Sequence, residues 1–230
     1  MVSSPAARRG AVRAKPRLDA DTIIAAGLRI ASRPGTTAVT VRELGSLLGA
    51  DPTAIYRHFR SKESLMMALL DRLSMMCLER VTAPRAEWRA RLTQLASATL
   101  DVYSGYPAIG LEAIVLTTEG PAELEIVELI LDAFRVAGLD GDDIVRHYAA
   151  LSAYLLSYAS GIAREQTVRE GHETEEHRAW LGRSLPVTAA THPNIAALRE
   201  QLLALRSREI FLVGVDALLD AAEAAVARRG

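Results

Sequence analysis

The chain is poor in cysteine, lysine and aromatic residues. Its 230 residues include one cysteine, Cys77, so no disulfide can close within the chain and no cysteine-based zinc site can form. That usage fits a reducing compartment, and the expected location is cytoplasmic. No stretch reaches the roughly 18 uninterrupted apolar residues that a membrane span needs, so no membrane is expected as a partner. The opening segment MVSSPAARRGAVRAKPR carries charge but no apolar run behind it, which argues against a signal peptide. Alternating apolar and polar runs of any length are missing, which argues against β-strands. The motifs G-x-S-x-G, G-x-x-x-x-G-K-[ST] and H-E-x-x-H do not occur. No catalytic residue, no metal and no cofactor is therefore expected. His172, Glu173, Glu176 and His177 have ligand-like spacing, but His and Glu in a polar segment are more usually solvated. The pair Asp142 and Asp143 reads as a helix N-terminus, not as a paired acid site.

Half of the residues are hydrophobic, which suits a folded globular protein. The net charge of −1 conceals an asymmetry. Residues 1–65 hold eleven Lys or Arg against five Asp or Glu, and the rest holds sixteen against twenty-three. A basic N-terminal piece on an acidic body points to a polyanion at one end. Only Lys15 and Lys62 are lysines, and the abundance of arginine can reflect base composition, so arginine count alone says little.

Residues 40–62, TVRELGSLLGADPTAIYRHFRSK, read as two short helices, a tight turn between them, and the start of a third helix. Thr40 and Glu43 have capping-box spacing, and Val41, Leu44 and Leu48 give the first helix one apolar stripe. Gly49 stands where a left-handed residue ends a helix. Asp51 caps the second helix, with Pro52 at its first position, while Ile55 and Phe59 point inward. The opposite face carries Thr53 and Arg57, flanked by Ala54 and Tyr56. A helix-turn-helix places such a face in the DNA major groove. Ser61 caps the next helix, with Lys62 in its first turn as a phosphate anchor. An ordinary helical hairpin with a solvated outer face gives the same local pattern.

The wider string LGADPTAIYRHFRSKESL resembles the signature of TetR transcriptional regulators. Leu48, Gly49, Tyr56, His58, Phe59, Lys62 and Leu65 fall in register with no gap, within a resemblance covering about residues 19 to 73. It implies an all-α fold: a three-helix DNA-binding module and a helical effector-binding and dimerisation body. The expected divisions are a basic arm over 1–17, the module over 18–65 and the body over 66–230. It implies that Arg42 reaches a base or a phosphate, that Thr53, Ala54 and Arg57 face base edges, and that Tyr56, His58 and Lys62 contact phosphates. Thr40 and Pro52, at the starts of the two helices, complete the expected DNA-binding set. Family members vary at the recognition positions, so the operator sequence does not carry over.

Beyond residue 62 the chain reads as helices punctuated by proline and glycine: 62–80, 88–104, 108–118, 121–138, 142–170, 193–205 and 207–229. The segment between 170 and 186 reads as a polar loop. Small residues Ala149, Ala153, Ser157 and Ser160, and Ile210, Gly214, Ala217 and Ala221 on the last helix, mark two helices apolar over much of their circumference. The string Phe211 to Leu219 is similar to the last long helix of TetR relatives, which implies a homodimer. Tyr103, Thr117, Phe134, His147 and Tyr154, with Thr118, Tyr148 and Trp180, are polar or aromatic residues on apolar helices, and they are the expected small-molecule cavity. The expected function is a repressor released from a palindromic double-stranded operator by a small-molecule effector. An architectural DNA-binding protein without an effector, and an enzyme housed in the helical body, are the alternatives.

Overall fold

A computed structural model describes residues 18–114, 116, 118–168 and 187–228. The N-terminal arm, Thr117, Trp180 and the His172–His177 group lie outside them. The described residues form α-helices and one 3-10 turn, with no strand among them. The fold is all-α.

Three short helices and the start of a long one form the N-terminal module: α1 (Ala20–Ala31), α2 (Val41–Leu48), α3 (Pro52–Tyr56) and α4 (Lys62–Leu78). Each has a side chain that meets its exposed first amides. Asp19 accepts from Thr22 N at 2.8 Å, and Asp51 from Thr53 N at 2.8 Å. Thr40 accepts from Glu43 N at 3.2 Å, but Glu43 Oε2 takes the Thr40 hydroxyl at 3.1 Å. A carboxylate that receives the hydroxyl is turned away from the Thr40 amide, so only half of the expected capping box forms. Ser61 and Ser64 do exchange both bonds at the start of α4.

Ile23, Ile30, Leu44, Ile55, Leu65 and Leu69 meet in the module's core. Ile24 and Leu28 of α1 are half-buried, because Ile23, Ala26 and Ile30 set its inward face. The turn between α2 and α3 depends on two glycines. Gly49 has φ 60°, a region where a side chain is strained. Gly45 lets the turn fold back on α2: Ala50 N donates to Gly45 O at 3.0 Å, and a Cβ on Gly45 would stand 2.8 Å from Ala50 O.

The body contains α5 (Trp88–Gly105), α6 (Pro107–Gly110), a 3-10 turn (Leu111–Ile114), α7 (Pro121–Ala137), α8 (Gly141–Val168), α9 (Pro193–Ala197), α10 (Arg199–Ala204) and α11 (Ser207–Ala227). The central helix is α5, which packs on α4, α7, α8 and α11. Helix α4, about 25 Å long, packs on α1 at one end and on α5 and α7 in the body. It therefore belongs to both halves of the chain.

Three helix readings change. The stretch expected as one helix over 108–118 is α6 and a 3-10 turn. Ser160 Oγ donates to Gly110 O at 2.9 Å, occupying a carbonyl at the break. The same bond buries Ser160, which is thus not on an outward stripe. The long helix begins at Gly141 with φ 48°, and Asp142 sits inside its first turn beside Arg146. The stretch over 193–205 is two short helices, broken at Leu198 with ψ 13°. Among the described residues no helix is long and apolar enough to cross a membrane.

Gly45→Val places branched carbon against the Ala50 carbonyl, and overpacking of this kind costs about 1–3 kcal/mol. Thermal unfolding is expected to show that loss together with weakened DNA binding. An unchanged melting temperature would mean that the turn has room to spare.

Candidate DNA interface and body cavity

The turn brings the sequence-predicted residues to one end of the molecule. Thr40, Arg42, Pro52, Thr53, Tyr56, Arg57, His58 and Lys62 are all exposed, while Ala54 is half-buried. Ile55 and Phe59 are buried on the opposite side, so packing fixes which face α3 presents. Tyr56 is 47% exposed. Arg42, Arg57, His58 and Lys62 make no ion pair with any described residue. Their donors are therefore available to an outside acceptor.

Asp51 positions the first turn of α3. Its carboxylate receives both the Thr53 hydroxyl, at 2.6 Å, and the Thr53 amide. Those bonds, with nearby Arg57 assisting, hold its carboxyl below the ordinary carboxylate range. The cap is thus charged at neutral pH. The Thr53 hydroxyl, having given its proton to Asp51, presents an acceptor outward.

A cavity of about 220 Å³ lies in the body. Leu70 and Ser74 of α4, Leu95, Thr99 and Tyr103 of α5, and Tyr148, Ser152 and Leu155 of α8 contribute walls. Glu123, Ile126 and Ile130 of α7 close another side, with Leu116 and Thr118 from the preceding loop. Burial raises the Tyr103 phenol well above its ordinary range, and Ser74 is its hydrogen-bond partner. Of the expected effector residues, Tyr103, Thr118 and Tyr148 line this cavity. Phe134 and His147 instead form a ring cluster with Trp88, with centroids 5.7 Å and 6.3 Å from Phe134. Tyr154 sits at the seam of α8 and α11, stacked on Phe211 and bonded through its hydroxyl to Phe211 O at 3.1 Å. Its ring lies over Gly214, so that glycine faces its own chain.

The loop before α7 is tied down at two levels. Asp71 of α4 accepts from Ala122 N at 3.1 Å and Glu123 N at 3.0 Å, capping α7 from another helix. Glu123 Oε2 accepts from Thr118 N, Thr118 Oγ1 and Glu119 N at 2.6, 2.5 and 2.8 Å. Sequence reasoning missed Asp71, Ser74 and Glu123. The one available signal for Asp71 was an acid interrupting the apolar α4; its partners are about fifty residues away. Burial pushes the Cys77 thiol up to about 12, which leaves it inert as a nucleophile. Among the described residues no group of three or more His, Cys, Asp or Glu could hold a metal ion.

Residues 23–69 match the family described as bacterial regulatory proteins, tetR family, and residues 82–226 match the tetracyclin repressor-like C-terminal domain. The chain belongs to the TetR family. Within it, this TetR regulator is 24% identical over 219 residues to the HTH-type transcriptional repressor DrrR1 of Streptomyces coeruleorubidus, covering 94% of this chain and 81% of that protein. It is 29% identical over 142 residues to the class A tetracycline repressor from transposon 1721 of Escherichia coli, covering 60% of this chain and 64% of that one. Its fold matches that of the Streptomyces coelicolor TetR family protein ActR in complex with actinorhodin, with a TM-score of 0.72 and 20% identity, over 91% of this chain and 99% of that one.

The roles expected of Arg57 and Lys62 separate by experiment. Arg57→Ala is expected to relax preference at one base pair per half-site, by about 1–3 kcal/mol. Lys62→Ala is expected to weaken all sequences alike and to lower the salt slope. Selection of bound DNA from a random pool checks both; an unchanged preferred sequence in Arg57→Ala assigns the face wrongly. Near the middle of α4, Asp71→Ala removes the cap of α7 and is expected to cost about 1–2 kcal/mol. Urea unfolding reads that loss, and an unchanged midpoint would show the cap to be idle.

Proposed function

We propose that this TetR regulator is a cytoplasmic, homodimeric repressor that leaves a palindromic operator when a small molecule fills the body cavity. In this reading residues 18–65 hold DNA, with residues 1–17 as a basic arm, and residues 66–230 hold the effector and the partner subunit. One observation carries it. Helix α4 offers Lys62 at its exposed first turn and lines the cavity with Leu70 and Ser74 two to three turns later. A ligand that shifts α4 in the body therefore acts on the element that seats the module. ActR, of the same fold, is a protein solved with actinorhodin bound.

The dimer reading rests on the outward residues of α8 and α11, which pack on each other. Val145, Ala149, Ala153 and Ser157 on α8, and Val213, Ala217 and Ala221 on α11, are exposed, and Val213 is 68% exposed. Phe211, Val215 and Leu219 are buried inside the chain and Leu218 is half-buried, so the partner face is the Val213 side. Operator half-sites about 34–36 Å apart require two modules held at a fixed distance.

Linkage supplies the energetics. A ligand that fits better when the modules are misaligned lowers DNA affinity, and operator DNA lowers ligand affinity by the same factor, typically about 5- to 150-fold. The expected outcome is a salt slope of several units on duplex DNA, at about 0.9 per neutralised phosphate. Val213→Arg is expected to give monomers of unchanged helicity that lose specific operator binding. Sedimentation that finds wild-type monomers at micromolar concentration overturns the dimer. Cavity ligands that stabilise the protein at saturation yet leave operator affinity untouched favour an architectural role.

A further inference from the structure

We propose that the body cavity takes a compact, mostly apolar molecule bearing a protonated amine, and that Glu123 is the group that reads its charge. The proposal rests on the cavity being the effector site. Glu123 is the only acidic residue among the described residues that line it, and none of them is Lys, Arg or His. The Glu123 carboxylate makes no ion pair with a described residue. Its three bonds all go to one oxygen, Oε2, from Thr118 and Glu119. Oε1 takes part in none of them.

Those three bonds do not require a negative charge. The amide oxygen of a glutamine accepts the same hydrogens. Thr118 and Glu119 satisfy Oε2, but no positive group among the described lining residues meets Oε1. Asp71 lies next to Glu123 at the start of α7 and adds a second negative charge. Tyr103 and Tyr148 line the same space, and an aromatic ring attracts a cation placed over its face. An anionic ligand would meet the Glu123 carboxylate and no counter-charge among the described lining residues.

Size narrows the class. A cavity of about 150 Å³ accepts benzene, so about 220 Å³ admits a bicyclic aromatic with a short side arm. An ammonium at Oε1 would share the carboxylate that holds Thr118 and Glu119 through Oε2. That loop leads directly into the α7 turn capped by Asp71 of α4, so ligand charge and helix position meet at one place.

The experiment uses the full chain and three probes of one shape: tryptamine, tryptophol and indole-3-acetate. Isothermal titration at neutral pH is expected to rank tryptamine at least about tenfold tighter than tryptophol, with indole-3-acetate weakest. Glu123→Gln is expected to bring tryptamine to the affinity of tryptophol while tryptophol itself still binds. Should that variant fail to fold, the ranking and the salt dependence of tryptamine on the wild-type chain decide alone. Equal affinities, a preference that survives Glu123→Gln, or no tryptamine binding at millimolar concentration overturns the proposal. Operator affinity measured beside each titration separates the two readings. If tryptophol loosens the operator as well as tryptamine does, effector release stands and the cation site falls. If tryptamine binds through Glu123 and the operator stays bound, the cation site stands and release falls.

Discussion

Asp71 is a carboxylate on α4 that satisfies backbone amides of α7. The first amides of a helix have no partner within it, and most helices meet them with a residue just before the first turn. Gly120 precedes α7 and has no side chain to offer. The chain meets the need from about fifty residues away, and so fastens the helix shared by both halves to the loop that borders the cavity. Two elements that must move together, or not at all, are joined at one oxygen, Asp71 Oδ1. A shift of α4 by the length of a hydrogen bond uncaps α7, and rearrangement of the loop over 118–120 leaves Asp71 without its amides.

The rest of the body resists such motion. Tyr158 donates to Ser207 O at 2.7 Å and Tyr154 to Phe211 O, so two phenols pin α8 to the start of α11. Asp132 is held at about 2 by Arg85 and Arg91, which ties α7 to the start of α5 and the segment before it. Arg89 of α5 meets Asp216, Asp220 and Glu223 of α11. These pairs are largely exposed and each adds little to stability, but they fix α5 against α11 in orientation. The outer helices are tied to one another by these bonds, and α4 is tied to the start of α7 through Asp71.

The helices of the N-terminal module were legible in sequence because their signals are local. Capping residues, a glycine at the turn and apolar residues three and four apart act within a few positions, and Thr40, Asp51 and Ser61 all cap where their spacing implies. The cavity was legible only in part. Tyr103, Thr118 and Tyr148 were found as polar groups on apolar helices. Phe134, His147 and Tyr154 have the same sequence character, yet their partners, Trp88 and Phe211, are fixed by how α5, α7, α8 and α11 cross. Glu123 looked like an ordinary acid in a first helical turn, a place where acids are common. Nothing local distinguishes a carboxylate that faces solvent from one that faces a cavity.

The outward side of α8 has a consequence for assembly. Ala149, Ala150, Ala153, Ser157 and Gly161 are exposed along it, and Ala217, Ala221 and Ala224 along α11. Alanine and glycine have no side-chain rotamers to lose, whereas a long side chain gives up about 1.5–2 kcal/mol of freedom when it is immobilised. A surface made of them has little side-chain freedom to lose when it is covered, so the ordering cost of an association there would fall mainly on the bodies that meet.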